Sequence, residues 1–158
     1  MKKIDYLFIP PTLEILVDDD DFDVLSQFKW FIRKDRNRYY AIMVGSYKPM
    51  HRLIMKVKDS KIQVDHIDGN GLNNQKSNLR LANNSQNAAN RAKTTRSNLT
   101  SIYKGVHKTK SGKFVAGVRK DGKYVFQKLF INEIDAAKAY NEAAIKYHGE
   151  FAYLNKIV

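Results

Sequence analysis

Four residues in the middle of the chain have the types and spacing of a hydrolytic metal site. Asp65 stands directly before His66, Asn78 follows twelve positions after that histidine, and Asn87 lies nine positions further on. Carboxylate and amide oxygens are hard ligands of the kind that Mg²⁺ takes, and Mg²⁺ also keeps waters and binds substrate phosphate. An imidazole outside the ligand set can accept a proton from water near neutral pH, provided that solvent reaches the ring. The pattern therefore predicts metal-assisted hydrolysis of a phosphate ester.

Three other histidines and one arginine carry weaker signals. Arg52 has two interpretations of equal weight, a catalytic contact to phosphate near the scissile bond and a structural salt link. For the neighbouring His51, a structural role is favoured over support of Arg52 by hydrogen bonding. His107 and His148 have no carboxylate neighbour at ligand spacing, so neither predicts a metal site.

The charge balance indicates a polyanionic partner. Lys and Arg number 28 against 16 Asp and Glu, which gives a formal net charge of +12. Seven of the acidic residues fall within the first 23 residues, whereas residues 91–128 carry eleven Lys or Arg. Such a block attracts nucleic-acid phosphates by releasing their condensed counterions. The alternative, a merely solvated basic face, is disfavoured because acidic residues are not interspersed among the basic ones.

The composition excludes several classes of protein. The absence of Cys excludes disulfide frameworks, thiolate zinc sites and cysteine nucleophiles. A hydrophobic fraction of 43% excludes disorder as the default for the whole chain. The apolar stretches are far shorter than the roughly 20 residues of a membrane helix, and the N-terminus lacks the blocks of a signal peptide. We therefore expect a soluble, unexported cytoplasmic protein with no membrane partner and no small-molecule substrate.

The first third of the chain is predicted to form short strands and one short helix. The acidic run Asp18–Asp21 is predicted to be a loop, and Phe22–Phe28 to be the helix, because its aromatic and apolar residues recur at spacing three. An apolar segment follows at His51–Met55. The predicted strands are β-branched or aromatic runs bounded by polar or Pro-containing stretches: Glu14–Val17, Trp30–Ile32 and Tyr39–Val44.

The segment that carries the four residues is predicted to fold as strand, strand and helix. The strands are Lys61–His66 and Asn78–Ala82, joined by an irregular, glycine-containing loop, and a helix of about two turns starts near Asn84 or Ser85. Neighbouring residues on a regular strand point to opposite faces. The first strand must therefore end or twist at Asp65 and His66 if both are to serve one phosphate.

The remaining chain is predicted to be a linker followed by a three-stranded antiparallel sheet and one helix. The Asp121-Gly122 pair predicts a tight hairpin turn, since type I′ turns require positive φ. Asn132 is expected to cap a helix that runs to His148, with Gly149 as its stop. Phe114, Ala116 and Val118 would pack under this helix, leaving Val115, Gly117 and Arg119 outward. The predicted strands are Tyr103–Lys108, Lys113–Lys120 and Lys123–Phe130, so the fold class is α+β.

Residues 10–91 resemble the HNH endonucleases, specifically the phage and intron-associated homing type with a ββα-metal core. The matching text is Met50-His-Arg-Leu-Ile-Met55, Val64-Asp-His-Ile-Asp-Gly-Asn70, Asn78-Leu-Arg-Leu81 and Gln86-Asn-Ala-Ala-Asn-Arg91. The resemblance implies that His66 is the general base, that Asp65 and Asn87 hold a divalent ion, and that Asn78 braces the loop that holds His66.

The same resemblance implies a reaction, a partner and a setting. Double-stranded DNA would be hydrolysed to 5′-phosphate and 3′-hydroxyl ends, with Mg²⁺ as the expected ion and Mn²⁺ as the alternative. A monomer would most simply nick one strand, and a homodimer would break both. Such proteins are encoded by phages and other mobile elements, which implies a bacterial or phage-infected cytoplasm.

Residues 101–155 resemble the AP-two, or ethylene-response-factor, DNA-binding domain. The resemblance rests on Tyr103-Lys-Gly-Val106, Phe114-Val-Ala-Gly-Val-Arg119, Leu129-Phe130, Ala136-Ala-Lys-Ala-Tyr-Asn-Glu-Ala-Ala144 and Gly149–Asn155. It implies a sheet that lies in the DNA major groove. Domains are accordingly expected at 1–91 (nuclease) and 101–158 (DNA-binding), with a basic linker at 92–100. The expected DNA contacts are Arg52, Arg91, Lys104, His107, Lys108, Lys113, Arg119, Lys123 and Tyr124.

Two rival functions stay open at this point. The chain could be a catalytically inactive, transcription-factor-like DNA-binding protein in which the asparagine-rich segment is only a scaffold. The joint occurrence of Asp65, His66, Asn78 and Asn87 argues against this. An RNA-binding protein is disfavoured because the sequence lacks strands with the aromatic residues that stack RNA bases.

Overall fold

The structure, a computed structural model, describes residues 13–93 and 99–157. The chain folds as two compact units, Met1–Asn83 and Asn84–Val158. This division precedes the predicted boundary at residue 91, because helix α3 (Asn84–Ala89) hydrogen-bonds within the second unit, to Asp121 and Tyr153. The centre of the predicted linker, residues 94–98, lies outside the described residues.

The first unit contains two antiparallel strand pairs and two short helices around one apolar core. Trp30 is fully buried at the centre of that core, and its indole N–H donates to the carbonyl of Leu25 at 2.9 Å. Strand β1 pairs with β2, and β3 pairs with β4. The elements are helix α1 (Asp19–Leu25), strands β1 (Trp30–Asp35) and β2 (Arg38–Met43), helix α2 (Met50–Ile54), strand β3 (Gln63–His66), a 3₁₀ turn (Lys76–Asn78) and strand β4 (Leu79–Ala82).

Two expectations for the opening segment were wrong. The acidic run is not a loop: helix α1 begins at Asp19, because carboxylates in a first turn are favoured by the positive end of the helix dipole. Lys76 adds an ion pair to Asp21 at 2.7 Å. The predicted strand Glu14–Val17 is only an isolated bridge, in which Leu16 exchanges backbone hydrogen bonds with Leu72 and Asn74.

The strand, strand and helix predicted around the candidate site are confirmed, with β3, β4 and α3 at the expected places. The register of β3 and β4 places Asp65 opposite Arg80 and His66 opposite Leu79. Strand β3 ends at His66, as the sequence required. Gly69, just beyond it, adopts a φ of +76°, a conformation that suits glycine in a tight loop.

The second unit is a three-stranded antiparallel sheet packed on one helix. Its strands are β5 (Val106–Lys108), β6 (Phe114–Lys120) and β7 (Lys123–Phe130), and its long helix is α4 (Glu133–His148). Asn132 caps α4 by accepting a hydrogen bond from the Asp135 amide at 2.7 Å. Asp121 and Gly122 both have positive φ, as a type I′ turn requires.

The faces of the sheet are also as predicted. Ala116 and Val118 are buried against Ala137, Tyr140 and other small residues of α4, since alanines let a helix approach a sheet closely. The predicted α+β fold is thereby confirmed. Among the described residues, α1–α4 are all too short or too polar to cross a bilayer.

Candidate active site and nucleic-acid interface

Asp65 is fixed by an ion pair inside the first unit. Its side chain is 1% exposed, and Oδ2 accepts from Nε and Nη2 of Arg80 at 3.1 and 2.9 Å. The antiparallel register explains the pair, because directly opposed residues share a face. Burying a carboxylate is costly unless a hydrogen-bonded cation accompanies it, and Arg80 supplies that cation.

His66 points to the other face of β3 and is also buried, at 3% exposure. Its Nε2 lies 3.4 Å from Oδ1 of Asn74, and its ring meets His51 edge to face with 5.0 Å between centroids. Burial lowers the pKa of His66 below 6.5, although the hydrogen bond with Asn74 and the charge of Asp68 act in the opposite direction. The ring is therefore neutral at pH 7, as a base must be, but it lacks the solvent access that the sequence interpretation required.

His51 is a packing neighbour of His66. Its ring also contacts Tyr40, at 5.9 Å between centroids, and its Nδ1 is buried with no hydrogen-bond partner among the described residues. Burial, followed by the charges of His66 and Arg52, lowers the pKa of His51 to about 3. These contacts are those of the structural role favoured for this residue from the sequence.

The asparagine-rich loop after His66 is held by its own side chains. Asn78 accepts from the amide of Asp68 at 3.0 Å and donates to the Asp68 carboxylate and the Asn73 carbonyl at 2.9 and 2.8 Å. Partial burial raises the pKa of Asp68, but the hydrogen bonds from Asn73, Asn70 and Asn78 outweigh that effect and hold it below its ordinary value. The high density of Asn in this segment thus has a direct structural reason.

Two arginines of the first unit lie close enough for their charges to act on His51 and His66. Arg52 donates to the carbonyls of Ile62 and Asp59, both at 2.7 Å. These contacts agree with its structural interpretation, except that the acceptors are backbone carbonyls and not a carboxylate. Sequence reasoning missed Arg38, whose guanidinium lies beside Gly69 and whose charge acts on His66. Its place at the start of β2, a strand distant in sequence from β3, gave no signal of this proximity.

Asn87 lies on α3 and is half-buried in the second unit. Ser85 of this helix accepts from the amide of Asp121 at 3.2 Å, and Ala89 accepts from the amide of Tyr153 at 3.2 Å. Lys104 donates its ammonium to the carbonyls of Ala88 and Ala89. The Lys104 ammonium thus binds backbone carbonyls, whereas the sequence led us to expect that it contacts DNA.

The two expected metal ligands, Asp65 and Asn87, belong to different units, so only the chemistry of their oxygens bears on a metal. No three His, Cys, Asp or Glu side chains gather into a metal cluster within the described ranges 13–93 and 99–157. Asp65 is a buried carboxylate fixed by Arg80, and Asn87 offers an amide oxygen. Such oxygens suit Mg²⁺, which completes its octahedron with water and substrate phosphate.

The outer face of the second unit's sheet carries the exposed Arg119, which stacks on Tyr124. The guanidinium of Arg119 lies 4.2 Å from the ring centroid of Tyr124. A Cβ on Gly117 would stand 2.8 Å from that ring, so the glycine gives the tyrosine room to lie on the sheet. The other expected contacts in this unit that stand exposed are Arg91, His107, Lys108, Lys113 and Lys123.

A cleft of about 870 Å³ opens in the second unit beside α3 and the strands β5 and β6. Its lining includes basic side chains on several elements and a single acidic one, Asp121. The basic members are Lys93, Lys104, His107, Arg119 and His148. The charge of this cleft matches the basic character of the sheet face.

The comparisons with known proteins agree with the location of the candidate site. Residues 48–89 match the family model for HNH endonuclease, a stretch that runs from two residues before α2 to the end of α3. An "uncharacterized HNH endonuclease" of Acanthamoeba polyphaga mimivirus is 39% identical over 141 residues, which are 87% of this chain and 72% of that protein. No solved structure matches the chain significantly.

Proposed function

We propose that this chain, which belongs to the HNH endonuclease family, is a divalent-metal-dependent homing-type enzyme that hydrolyses double-stranded DNA to 5′-phosphate and 3′-hydroxyl ends. One observation carries the proposal: the family match at 48–89 contains Asp65, His66, Asn78 and Asn87 together. The basic sheet face of the second unit supports DNA as the partner.

His66 is proposed to take the proton from the attacking water. The Asn74 amide group donates to the Leu72 carbonyl at 3.2 Å, so its oxygen faces His66 and accepts from Nε2–H. In the neutral ring the basic lone pair is then on Nδ1. Contacts of catalytic groups are often long before substrate binds, and the 3.4 Å separation is of that kind. The proposal requires that DNA binding admit water to this ring.

Asp65 and Asn87 are proposed to hold the divalent ion, with Mg²⁺ or Mn²⁺ as candidates. When bound, the ion would stabilise charge on the phosphate and on the departing 3′ oxygen. Arg80 keeps the Asp65 carboxylate fixed, and Asn78 fixes the loop that follows His66. Arg38, whose guanidinium lies beside Gly69, is a further candidate for a phosphate contact. The guanidinium of Arg52, in contrast, donates to two backbone carbonyls.

The second unit is proposed to hold DNA in the manner of an AP-two domain, with the outer face of β5–β7 in the major groove. The support is the topology, one helix under a three-stranded antiparallel sheet, together with the exposed cations of the second unit. Gly117 has no side chain to reach a base, but it lets Tyr124 and Arg119 stack as one rigid group. The proposed contacts are Arg91, His107, Lys108, Lys113, Arg119, Lys123 and Tyr124.

Cleavage of supercoiled plasmid carrying the DNA that flanks the gene tests the proposal. With Mg²⁺ or Mn²⁺ the wild type should convert plasmid to nicked or linear form, and EDTA should stop the reaction. His66→Ala should reduce the rate by about 10²–10⁴-fold, the usual contribution of a general base. His148→Ala removes an imidazole outside the proposed site and serves as the matched control. Equal cleavage by wild type and His66→Ala would remove the base assignment.

A second candidate function is DNA binding without catalysis. The burial of His66 at 3% exposure and the engagement of Asp65 by Arg80 favour it. The same plasmid assay, run beside a gel shift, separates the two functions. Tight binding with no cleavage in Mg²⁺, Mn²⁺, Co²⁺ or Ni²⁺ would identify the chain as an inactive binding member of its family.

A further inference from the structure

Helix α3 has only six residues, and helices of this length do not persist without tertiary contacts. Within the second unit, both of its ends are tied. At the N-terminal end, Ser85 Oγ accepts from the Asp121 amide of the β6–β7 turn at 3.2 Å. At the C-terminal end, the Ala89 carbonyl accepts from the Tyr153 amide at 3.2 Å. Residues far along the chain therefore hold a helix of the nuclease motif.

Lys104 adds a third tie, at the C-terminal end of the helix. Its ammonium donates to the carbonyls of Ala88 and Ala89 at the C-terminal end of α3, where the helix dipole favours a cation. The same ammonium lies 5.3 Å from the centroid of the Tyr153 ring, within cation–π range. An ammonium held by two carbonyls and an aromatic face is poorly placed to serve DNA phosphate.

The backbone of Lys104 is also held by hydrogen bonds, which limits the positions that its ammonium can take. The Asn155 side chain accepts from the Lys104 amide at 2.7 Å and donates to the Lys104 carbonyl at 3.0 Å. Asn155 is in turn bonded through its backbone to the side chain of Asn141 on α4, at 2.8 and 2.9 Å. The chain of contacts thus runs from the core helix of the second unit to α3.

From this network we infer that Lys104 is a positioning residue of the nuclease: it fastens α3, and with it Asn87, to the C-terminal unit. The inference rests on the proposed role of Asn87 for its catalytic consequence, but the tie itself does not. The C-terminal unit then has two tasks, holding DNA and supplying the fixed third element of the nuclease motif.

Amide hydrogen exchange on the full-length, metal-free protein tests the tie without relying on activity. In Lys104→Met, amides of α3 and the amide of Tyr153 should exchange about tenfold faster, while those of β6 and β7 stay protected. Lys104→Arg, which keeps donors for the carbonyls, should restore much of the protection. Lys138→Met, an equal loss of charge at an exposed position of α4, should exchange as wild type does.

Two DNA measurements separate positioning from phosphate contact. In Lys104→Met, the single-turnover cleavage rate at saturating DNA should fall about tenfold, while the salt dependence of DNA affinity stays as in wild type. Loss of a phosphate contact would instead lower that slope by about one. Unchanged exchange in α3, or a lower salt slope, would overturn the inference.

A second variant covers the case in which Lys104→Met does not fold. Ser85→Ala removes only the tie at the N-terminal end of α3, at a part-exposed position. It should speed amide exchange in α3 by about twofold to fivefold, less than Lys104→Met does, while exchange in β6 and β7 stays as in wild type. Wild-type exchange throughout α3 would count against the network. If the wild type cleaves no DNA with any metal, the proposed function fails, but the exchange data still decide the role of Lys104.

Discussion

The two polar regions of the molecule are built in opposite ways. At the end of β3, four polar side chains are less than a tenth exposed, and each has a hydrogen bond or an ion pair (Asp65, His66, Asn74 and Asn78). In the second unit, the cations expected to contact DNA stand exposed, and Lys104 is the exception. Burial demands partners and so fixes geometry, which suits chemistry on one bond. Exposure leaves charge available at a distance, which suits attraction of a DNA backbone.

The largest expected effect comes from Asn87. Asn87→Ala should lower the rate of DNA cleavage by about 10³-fold or more, because the proposed ion would lose one of its two proposed protein ligands. DNA affinity in a gel shift should stay within about twofold of wild type. Asn37→Ala, in the exposed β1–β2 turn, is the matched control. Parallel losses of cleavage and affinity would contradict the ligand role.

The next effect concerns stability at the buried ion pair. Asp65→Ala leaves the Arg80 guanidinium, whose side chain is only 12% exposed, without its carboxylate. Breaking a buried pair in this way costs about 3–5 kcal/mol. Denaturant unfolding should show this loss for the first unit, and Asp65→Ala combined with Arg80→Leu should recover part of it. A loss under about 1 kcal/mol would mean that the pair is effectively solvated.

Acid should destabilise the first unit through His51. The pKa of His51 is about 3 in the fold and 6.5 when exposed, so below pH 6.5 the unfolded chain binds a proton that the native state does not. The free energy of unfolding should therefore fall by about 1 kcal/mol for each pH unit below pH 6, levelling off near pH 3. The groups that face His51 are His66, Tyr40 and Arg52, and His66 adds a contribution of the same sign.

Denaturation of wild type and His51→Gln at pH 7 and pH 5 measures this contribution. The glutamine variant should lose stability less steeply toward acid than wild type does. Identical slopes for the two proteins would show that His51 is protonated equally in the folded and unfolded states.

The smallest effect is expected on the exposed face. Arg119→Ala should weaken DNA binding by about 1–2 kcal/mol and lower its salt slope by about one, without changing stability. Gly117→Ala should displace the Tyr124 ring and weaken binding less. Lys138→Ala, on α4, is the charge-matched control. If Lys138→Ala weakens binding as much as Arg119→Ala, the sheet face is not the DNA contact.

Elements with local signals were predicted well. The β6–β7 hairpin follows from Asp121-Gly122, and the start of α4 follows from the cap at Asn132, because each depends on a few adjacent residues. The acidic run at Asp18–Asp21 misled the prediction, since charge density alone does not distinguish a loop from a helix N-terminus. Its helical state depends on burial of Leu25, which adjacent residues do not reveal.

For the candidate site as well, some features follow from the local sequence and others only from tertiary packing. Sequence alone determined which residue types stand at 65, 66, 78 and 87, and which strands and helix carry them, because spacing and turn chemistry are local properties of the chain. Only the tertiary structure decided that His66 is buried beside His51, that Arg38 lies next to Gly69, and that Lys104 holds α3. Those facts depend on atoms brought together from distant parts of the chain, and packing, rather than local preference, selects them.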